Sequence, residues 1–377
     1  MYSGDLMLKS ILLFVLLGIT LVIIVGVLFV NFAPQFGATF DAQHKIQMQS
    51  SSQYNQDHFV NTQPTQTGSS NPDGLWGTLI DYIKGTPNQK PTDNIEVKQL
   101  SSGQLEELNS PALTWFGHSS FLLSINNQNI FFDPVFSSVP APHPWLGSKR
   151  YNAQHPIEPE DLPTIDAVVI SHDHYDHLDY DSVLRMDAKV KKYLVPLGVG
   201  QHLIEWGVDQ NKITEFDWWQ DTQLANVQLT FTPARHFSGR RITNQNQTLW
   251  GGWYVKAADF SMFYSGDTGY GSHFTDIANK LGAPDLALLE CGQYNEAWAD
   301  IHMMPEETVL AAQDLQAKVM MPVHWGAFTL SLHSWTDPIE RAITAAEKND
   351  QQIVAPEIGE VMVLNETSTT LNKWWSL

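Results

Sequence analysis

Nine residues, 171–179, hold the densest metal-binding chemistry in the chain: Ser-His-Asp-His-Tyr-Asp-His-Leu-Asp places three imidazoles and three carboxylates side by side. They follow Ala167-Val168-Val169-Ile170, an apolar β-branched run that reads as a buried strand ending in a cleft. Imidazole with carboxylate suits zinc or another borderline divalent ion, whereas magnesium and calcium favour oxygen alone. His172 and His174, two residues apart, are spaced to grip one ion, and Asp176 and His177 to turn toward a second. A polar loop that caps a helix or faces water is the plainer reading of any one of these histidines, but not of the cluster.

Three more residues repeat the placement, each a lone His or Asp just past an apolar run. His236 follows Leu229-Thr230-Phe231-Thr232-Pro233-Ala234-Arg235, Asp267 follows Met262-Phe263-Tyr264-Ser265-Gly266, and His324 follows Met320-Met321-Pro322-Val323. Alone, each reads as a structural histidine or a turn aspartate. With the cluster they amount to what two ions need, a bridging carboxylate included.

The elements that must position these side chains alternate between strands and helices. Residues 113–116, 121–125 and 130–132 read as strands, the last two joined by an Asn-Asn-Gln-Asn turn, with Gly117-His118-Ser119-Ser120 and Asp133-Pro134 at strand ends. Strands follow at 193–195, 227–231, 253–255, 262–264, 286–289 and 319–323, and helices around 201–206, 274–281 and 338–348. A further helix opens at Pro305, with Glu306 and Glu307 in its first turn. The mixture predicts an α/β (α+β) body of sheets with helices outside.

Ahead of that body, residues 11–30 are uncharged and almost wholly apolar, the length of a membrane span. An uncleaved anchor is favoured over a signal cleaved near Ala38. Lys9 precedes the span and the next basic residue is Lys45, which places the N-terminus inside and the body outside the cytoplasm. Residues 31–94 are rich in Gln, Asn, Ser, Thr, Pro and Gly and read as a polar, partly disordered tether, with an apolar interruption at 75–83. The expected organisation is therefore 1–30 anchor, 31–94 tether and 95–377 catalytic domain. A net charge of −20, with few and scattered Lys and Arg, excludes a nucleic-acid partner. The single cysteine, Cys291, excludes an intramolecular disulfide and reads as a small buried residue.

The motif His172-Asp173-His174-Tyr175-Asp176-His177 with His236, Asp267 in Ser-Gly-Asp-Thr, and His324 resembles the metallo-β-lactamase superfamily, whose fold is an αββα sandwich with metals at one edge. Within it, the chain is similar to the N-acyl-phosphatidylethanolamine-hydrolysing phospholipase D group. The similarity spans residues 114–335 and includes Thr-Trp-Phe-Gly-His-Ser-Ser, Phe-Asp-Pro-Val-Phe-Ser, Gly-Ser-Lys-Arg-Tyr, Pro-Ala-Arg-His-Phe-Ser-Gly-Arg and His-Trp-Gly-Ala-Phe. The resemblance implies one zinc on His172, His174 and His236, a second on Asp176, His177 and His324, and Asp267 bridging them. Two such ions bring a shared water toward neutral pKa and clamp a phosphoryl oxygen, so no Ser or Cys nucleophile is required. Asp179 is expected either to orient a ligand histidine or to cap a helix.

The resulting expectation is a membrane-anchored phosphodiesterase of phospholipase D type, acting on N-acyl-phosphatidylethanolamine or a related phospholipid through a metal-bound hydroxide. The alternative is a lactonase or other ester hydrolase on the same fold, and a homo-oligomer is compatible with either. Asp176, Asp267 and His302 form the expected catalytic set. The resemblance also places Tyr175, Tyr180, Arg240 and His302 around the phosphate. There Arg240 and the phenols would stabilise anionic charge, and His302 would orient the phosphate or protonate the leaving alcohol. The plainer readings are that Tyr180 is core, Arg240 pairs with a carboxylate and His302 caps the helix that follows it.

Overall fold

The computed structural model describes residues 2–68, 74–108, 111–241, 243–364 and 371–376. Its first element is one helix, Tyr2–Phe32, whose Met7–Phe32 stretch is long and apolar enough to cross a membrane and buries none of its length in the protein. The segment beyond it differs from the expected tether. A short turn at Pro34–Phe36, a helix at Ala42–Met48 capped by Asp41, and a hairpin of β1 (Tyr54–Asn55) and β2 (His58–Phe59) lie against the body. Met48 and Phe59 are fully buried in the main core, and the Phe59 N–H donates to Asn246 O at 2.8 Å. Composition misleads here because two buried apolar anchors and backbone pairing with the body replace the internal core that the segment lacks. The apolar interruption is a helix, Gly74–Lys84.

Two seven-stranded sheets follow. The first begins with β3 (Ala112–Trp115), β4 (Phe121–Ile125), β5 (Gln128–Phe132), β6 (Ala167–Val169), β7 (Tyr193–Pro196) and β8 (Ile213–Phe216). The second contains β9 (Asp221–Leu224), β10 (Val227–Thr232), β11 (Gly252–Lys256), β12 (Ser261–Tyr264), β13 (Leu286–Glu290), β14 (Val319–Val323) and β15 (Gln352–Ile353). β16 (Val361–Val363) then returns to pair antiparallel with β3. The β4–β5 hairpin turns at Asn126 and Asn127, both at positive φ (51° and 58°), as a two-residue hairpin turn requires and asparagine tolerates. From β5 to β8 and from β12 to β15 the pairing is parallel, so consecutive strands point their C-terminal ends the same way.

The two sheets share one core. Along β4, Phe121, Leu123 and Ile125 face the other sheet, while Leu122 faces outward, the period-two pattern of a strand buried on both sides. Phe121 and Tyr264 meet across the layers at 5.1 Å, and Phe216 and Trp253 at 5.2 Å. Helices Tyr180–Met186 and Gly200–Glu205 cover the outer face of the first sheet with Val183, Met186 and Leu203. Helices His273–Leu281, Pro305–Asp314 and Asp337–Lys348 supply Phe274, Ile277, Val309 and Ile339 to the larger core. The helix at Pro305 is closed at its start by the Glu307 carboxylate, which accepts from Met304 N at 2.9 Å. This α/β arrangement of layers matches the expected one.

Candidate metal centre

Loops leaving the ends of β3, β5, β6, β10, β12, β13 and β14 converge on one edge of the sandwich. The structure brings all seven expected ligands together there. His172, His174, His236 and Asp267 form one group, with ligand atoms within 4.8 Å of one another. His172 Nε2 lies 2.9 Å and His236 Nε2 3.3 Å from His174 Nδ1. The second group gathers His177, His324 and His118 around Asp176 Oδ2, at 3.5, 3.2 and 2.9 Å. Asp267 touches both groups: its Oδ2 is 3.8 Å from His172 and His236 and 3.3 Å from His324, and its Oδ1 is 3.1 Å from His177.

Behind the ring nitrogens that face this centre, the opposite nitrogens are already committed. His177 Nδ1 meets Asp133 Oδ2 at 2.8 Å, His172 Nδ1 meets Ser171 Oγ at 2.9 Å, His236 Nδ1 meets Ile301 O at 3.0 Å, and His324 Nδ1 meets Glu290 Oε2 at 3.3 Å. Such partners fix ring orientation and tautomer. The backbone is held in costly conformations at the same place: Asp133, His118 and His324 have φ of 38°, 55° and 69°. The last two are pinned to each other's segment by His118 N to Trp325 O and His324 N to His118 O, both 3.0 Å. Gly266, at φ 59°, brings Asp267 in so tightly that a Cβ would lie 2.6 Å from Gly251 O.

The donor set fits divalent cations. His177 Nε2 and Asp267 Oδ1 are buried 3.1 Å apart, yet neither has a partner in hydrogen-bonding geometry. Burial drives the His172 and His236 imidazoles well below their ordinary range, so both are neutral, the form that ligates. Burial would push Asp267 and Asp176 up, but the charge of His177 outweighs it and holds both carboxylates well below their usual range. Burial also opposes charge on His177 and His324, yet Asp267 and Asp176 overcome it, raising His177 well above its ordinary value and His324 to about 10.

The centre opens into a cleft of about 260 Å³, with His174, Asp176, Asp267, His302 and His324 lining its polar side and Phe237, Trp298, Ile301, Leu330 and Tyr82 its apolar side. Of the four expected substrate residues, His302 alone is here; its ring stacks on His324 at 5.3 Å, and its Nδ1 is 3.2 Å from Glu290 Oε2. The other three lie behind the metal loop, a correction to the sequence reading. Arg240 is buried, and its guanidinium donates to Asp173 O (2.6 Å), Leu178 O (2.8 Å) and Gln35 O (2.8 Å). Tyr175 donates to Arg240 O at 2.6 Å, and Tyr180 packs edge-on against Trp206. Nearness in sequence to a ligand did not fix which side of the loop each side chain takes. Asp179 caps the helix that starts at Tyr180, accepting from Ser182 N and Ser137 N, and touches no ligand histidine. Cys291 is fully buried, its thiol pushed above the usual range by burial.

Three contributors were not singled out as site residues from sequence: His118, Asp133 and Glu290. Each had a signal. His118 and Asp133 stand at strand ends, and Glu290 is a carboxylate closing the otherwise apolar strand Leu-Ala-Leu-Leu-Glu.

A sequence profile described as a beta-lactamase superfamily domain matches residues 128–325. The chain belongs to the metallo-β-lactamase superfamily. Within this superfamily it is 43% identical over 270 residues to an uncharacterized protein of Mycobacterium tuberculosis, covering 71% of this chain and 72% of that one. It is 31% identical over 266 residues to N-acyl-phosphatidylethanolamine-hydrolyzing phospholipase D 1 of Caenorhabditis elegans, covering 66% and 74% of the two chains. Its fold is similar to that of an isothiocyanate hydrolase from Delia radicum gut bacteria, with a TM-score of 0.52, 18% identity, and 67% and 98% of the chains covered.

Proposed function

We propose that this metallo-β-lactamase-superfamily hydrolase is a membrane-anchored, two-zinc phosphodiesterase of phospholipase D type, taking N-acyl-phosphatidylethanolamine or a related phospholipid. His172, His174 and His236 would hold one ion, Asp176, His177 and His324 the other, and Asp267 both. When bound, the pair supplies Lewis acidity toward water and toward a phosphoryl oxygen. The chain's own contribution begins with Asp133, Ser171, Ile301 and Glu290, which fix the ligand rings from behind. His302, with Nδ1 on Glu290, keeps its other ring nitrogen for the substrate, to orient the phosphate or to give a proton to the leaving alcohol.

The observation that carries the lipid reading is the apolar surface around the cleft. Trp145 and Leu146 stand 90% and 63% exposed on a loop whose His143 ring meets Phe29, near the end of the apolar helix, at 5.9 Å. Trp76 and Ile83, 75% and 77% exposed, belong to the helix whose Tyr82 lines the cleft and donates to Leu330 O. The loop reaches the same wall, through Ser148 Oγ to Thr329 O at 2.5 Å. Helix end, loop and cleft rim thus form a continuous chain of contacts, and the bare indoles suit a bilayer interface. In this reading residues 1–30 are a single-pass anchor, and Lys9 argues for a catalytic body outside the cytoplasm, made of the domain from about residue 95 with the 34–59 segment packed on it.

One observation favours the second reading, a lactonase or other carboxyl-ester hydrolase. Among the described residues, no Lys or Arg lines the cleft, so a phosphodiester would find no protein cation there beyond what the histidines offer. The test is to supply the full-length protein in mixed micelles with N-acyl-phosphatidylethanolamine and, separately, with a lactone series. Release of phosphatidate and N-acylethanolamine in equal amounts supports the phosphodiesterase. Turnover of lactones alone replaces it with the ester hydrolase.

A further inference from the structure

The segment that joins the apolar helix to the body does not merely pass over it. Trp206 Nε1 donates to Pro34 O at 2.7 Å, Arg240 Nε to Gln35 O at 2.8 Å, and Arg241 Nη2 to Gly37 O at 3.0 Å. In return the Ala38 N–H donates to His202 Nδ1 at 2.9 Å. Phe36 is buried and meets the ring of Tyr175, inside the metal motif, at 6.4 Å.

Two of these partners continue directly into the metal loop. Because the Ala38 amide can only donate, His202 Nδ1 is an acceptor and its proton lies on Nε2. That N–H faces Asp173 Oδ2 at 3.2 Å. Asp173, between His172 and His174, is also held by Gly239 N at 2.7 Å and Thr248 Oγ1 at 2.9 Å. Arg240 spans the same distance by a second route: one edge binds Gln35 O, while Nη1 binds the carbonyls of Asp173 and Leu178 at the two ends of the motif. Its guanidinium is sandwiched between Tyr175, at 4.2 Å, and Trp206, at 5.1 Å. The approach is close enough to require glycine. Gly37 has φ +69°, and a Cβ there would lie 2.1 Å from His202 Nδ1.

We infer that residues 34–38 are a brace for the metal loop, and that His202 and Arg240 are positioning residues that carry it to His172, His174, Asp176 and His177. The inference rests on the reading of those four residues as metal ligands, and it joins the apolar helix to the centre. Ligands alone fix the loop from the cleft side, and the brace fixes it from behind. Partners hydrogen-bonded directly to a ligand are worth about 10- to 100-fold in metal affinity. The brace acts at least one step further back, through His202 to Asp173 and through Arg240 to the carbonyls of Asp173 and Leu178, so an effect at the lower end is expected.

The test uses the full-length chain in detergent micelles, with Gly37→Val to force the strap off His202 and Arg241→Ala to remove the bond to Gly37 O together with the guanidinium's contact with the Phe36 ring, 5.8 Å away. Thr39→Ala, at an exposed position just beyond the brace, is the control. Melting temperature, zinc release to a chelator and deuterium uptake over residues 171–178, with and without zinc, are measured together. Gly37→Val is expected to release zinc about tenfold faster and to lose protection over 171–178, with a smaller change for Arg241→Ala and none for Thr39→Ala. Folded strap variants with wild-type release and wild-type protection overturn the brace. If Gly37→Val fails to fold, Arg241→Ala decides the matter by the same two readouts. A wild type that binds no zinc sinks the metal reading instead, while deuterium uptake in the metal-free protein still tests the brace.

Discussion

Asp133 offers the sharpest perturbation of the centre that replaces neither a cleft-lining residue nor an expected ligand. Its carboxylate is fully buried and accepts from Ser171 N (2.8 Å), Ser171 Oγ (2.5 Å), Tyr264 OH (2.5 Å) and His177 Nδ1 (2.8 Å). Asp133→Ala removes all four acceptor contacts. Ser171 Oγ already accepts from His172 Nδ1, 2.9 Å away, when Nε2 is left free for the centre, so all four donors are stranded. At about 1–3 kcal/mol for each buried unsatisfied group, partly relieved by relaxation, the expected loss is roughly 3–6 kcal/mol. That is a large share of the about 5–15 kcal/mol that a folded domain usually has. Asp133→Asn keeps one acceptor oxygen and the shape, so its cost is expected to be about half as large. Asp133→Ala frees the His177 ring, and its zinc affinity is expected to fall about 10- to 100-fold. Asp133→Asn, whose oxygen can still accept from His177 Nδ1, is expected to lose less. Urea unfolding of the metal-free protein measures the first effect and chelator competition the second. A loss under about 0.5 kcal/mol for Asp133→Ala, or zinc affinity within twofold of wild type, would refute the orienting role.

Glu290→Gln tests the other carboxylate behind the centre, which meets His302 Nδ1, His324 Nδ1 and Met303 N. Because it would unlatch a ligand and the cleft histidine together, turnover is expected to fall about 10²-fold or more, with weaker zinc binding. An unchanged kcat speaks against the pairing. Glu215 tests the electrostatics away from the metals: burial pushes its carboxyl from 4.5 up to about 7, against the opposing pull of the Gly200 and Gly198 N–H groups. A raised acid binds more protons folded than unfolded between these values, so its contribution to stability is present near pH 4.5 and lost as pH rises through about 7. The loss is at most about 3 kcal/mol, and less because the residue keeps some solvent contact. Glu215→Gln should flatten this part of the stability–pH curve; a curve parallel to wild type from pH 5 to about 8 would count against the assignment.

The clustering of the candidate ligands was legible because chemistry and strand pattern coincide: each of His236, Asp267 and His324 closes an apolar run, and strands of such sheets deliver their ends to one edge. The strands and most helices followed from the same alternation. Side-chain direction within a loop has no such period. Tyr175 and Arg240 are beside ligands in sequence, yet they point to the back, where Arg240 satisfies backbone carbonyls that would otherwise be buried unpaired. The strap was hidden for a related reason. Its attachment runs through main-chain atoms of Pro34, Gln35, Gly37 and Ala38, and backbone hydrogen bonds leave almost no trace in composition. Only Gly37 and the buried Phe36, Met48 and Phe59 hint at it, within a stretch whose Gln and Ser content suggests a free linker.

The central claim is two divalent ions held on seven side chains, with Asp267 common to both. Metal content per chain, measured on purified full-length protein together with its Asp267→Asn variant, tests it most directly. Two ions in the wild type, falling to one or fewer in the variant with the fold preserved, is the predicted result. A hydrolytically active wild type containing no bound divalent ion would contradict the claim.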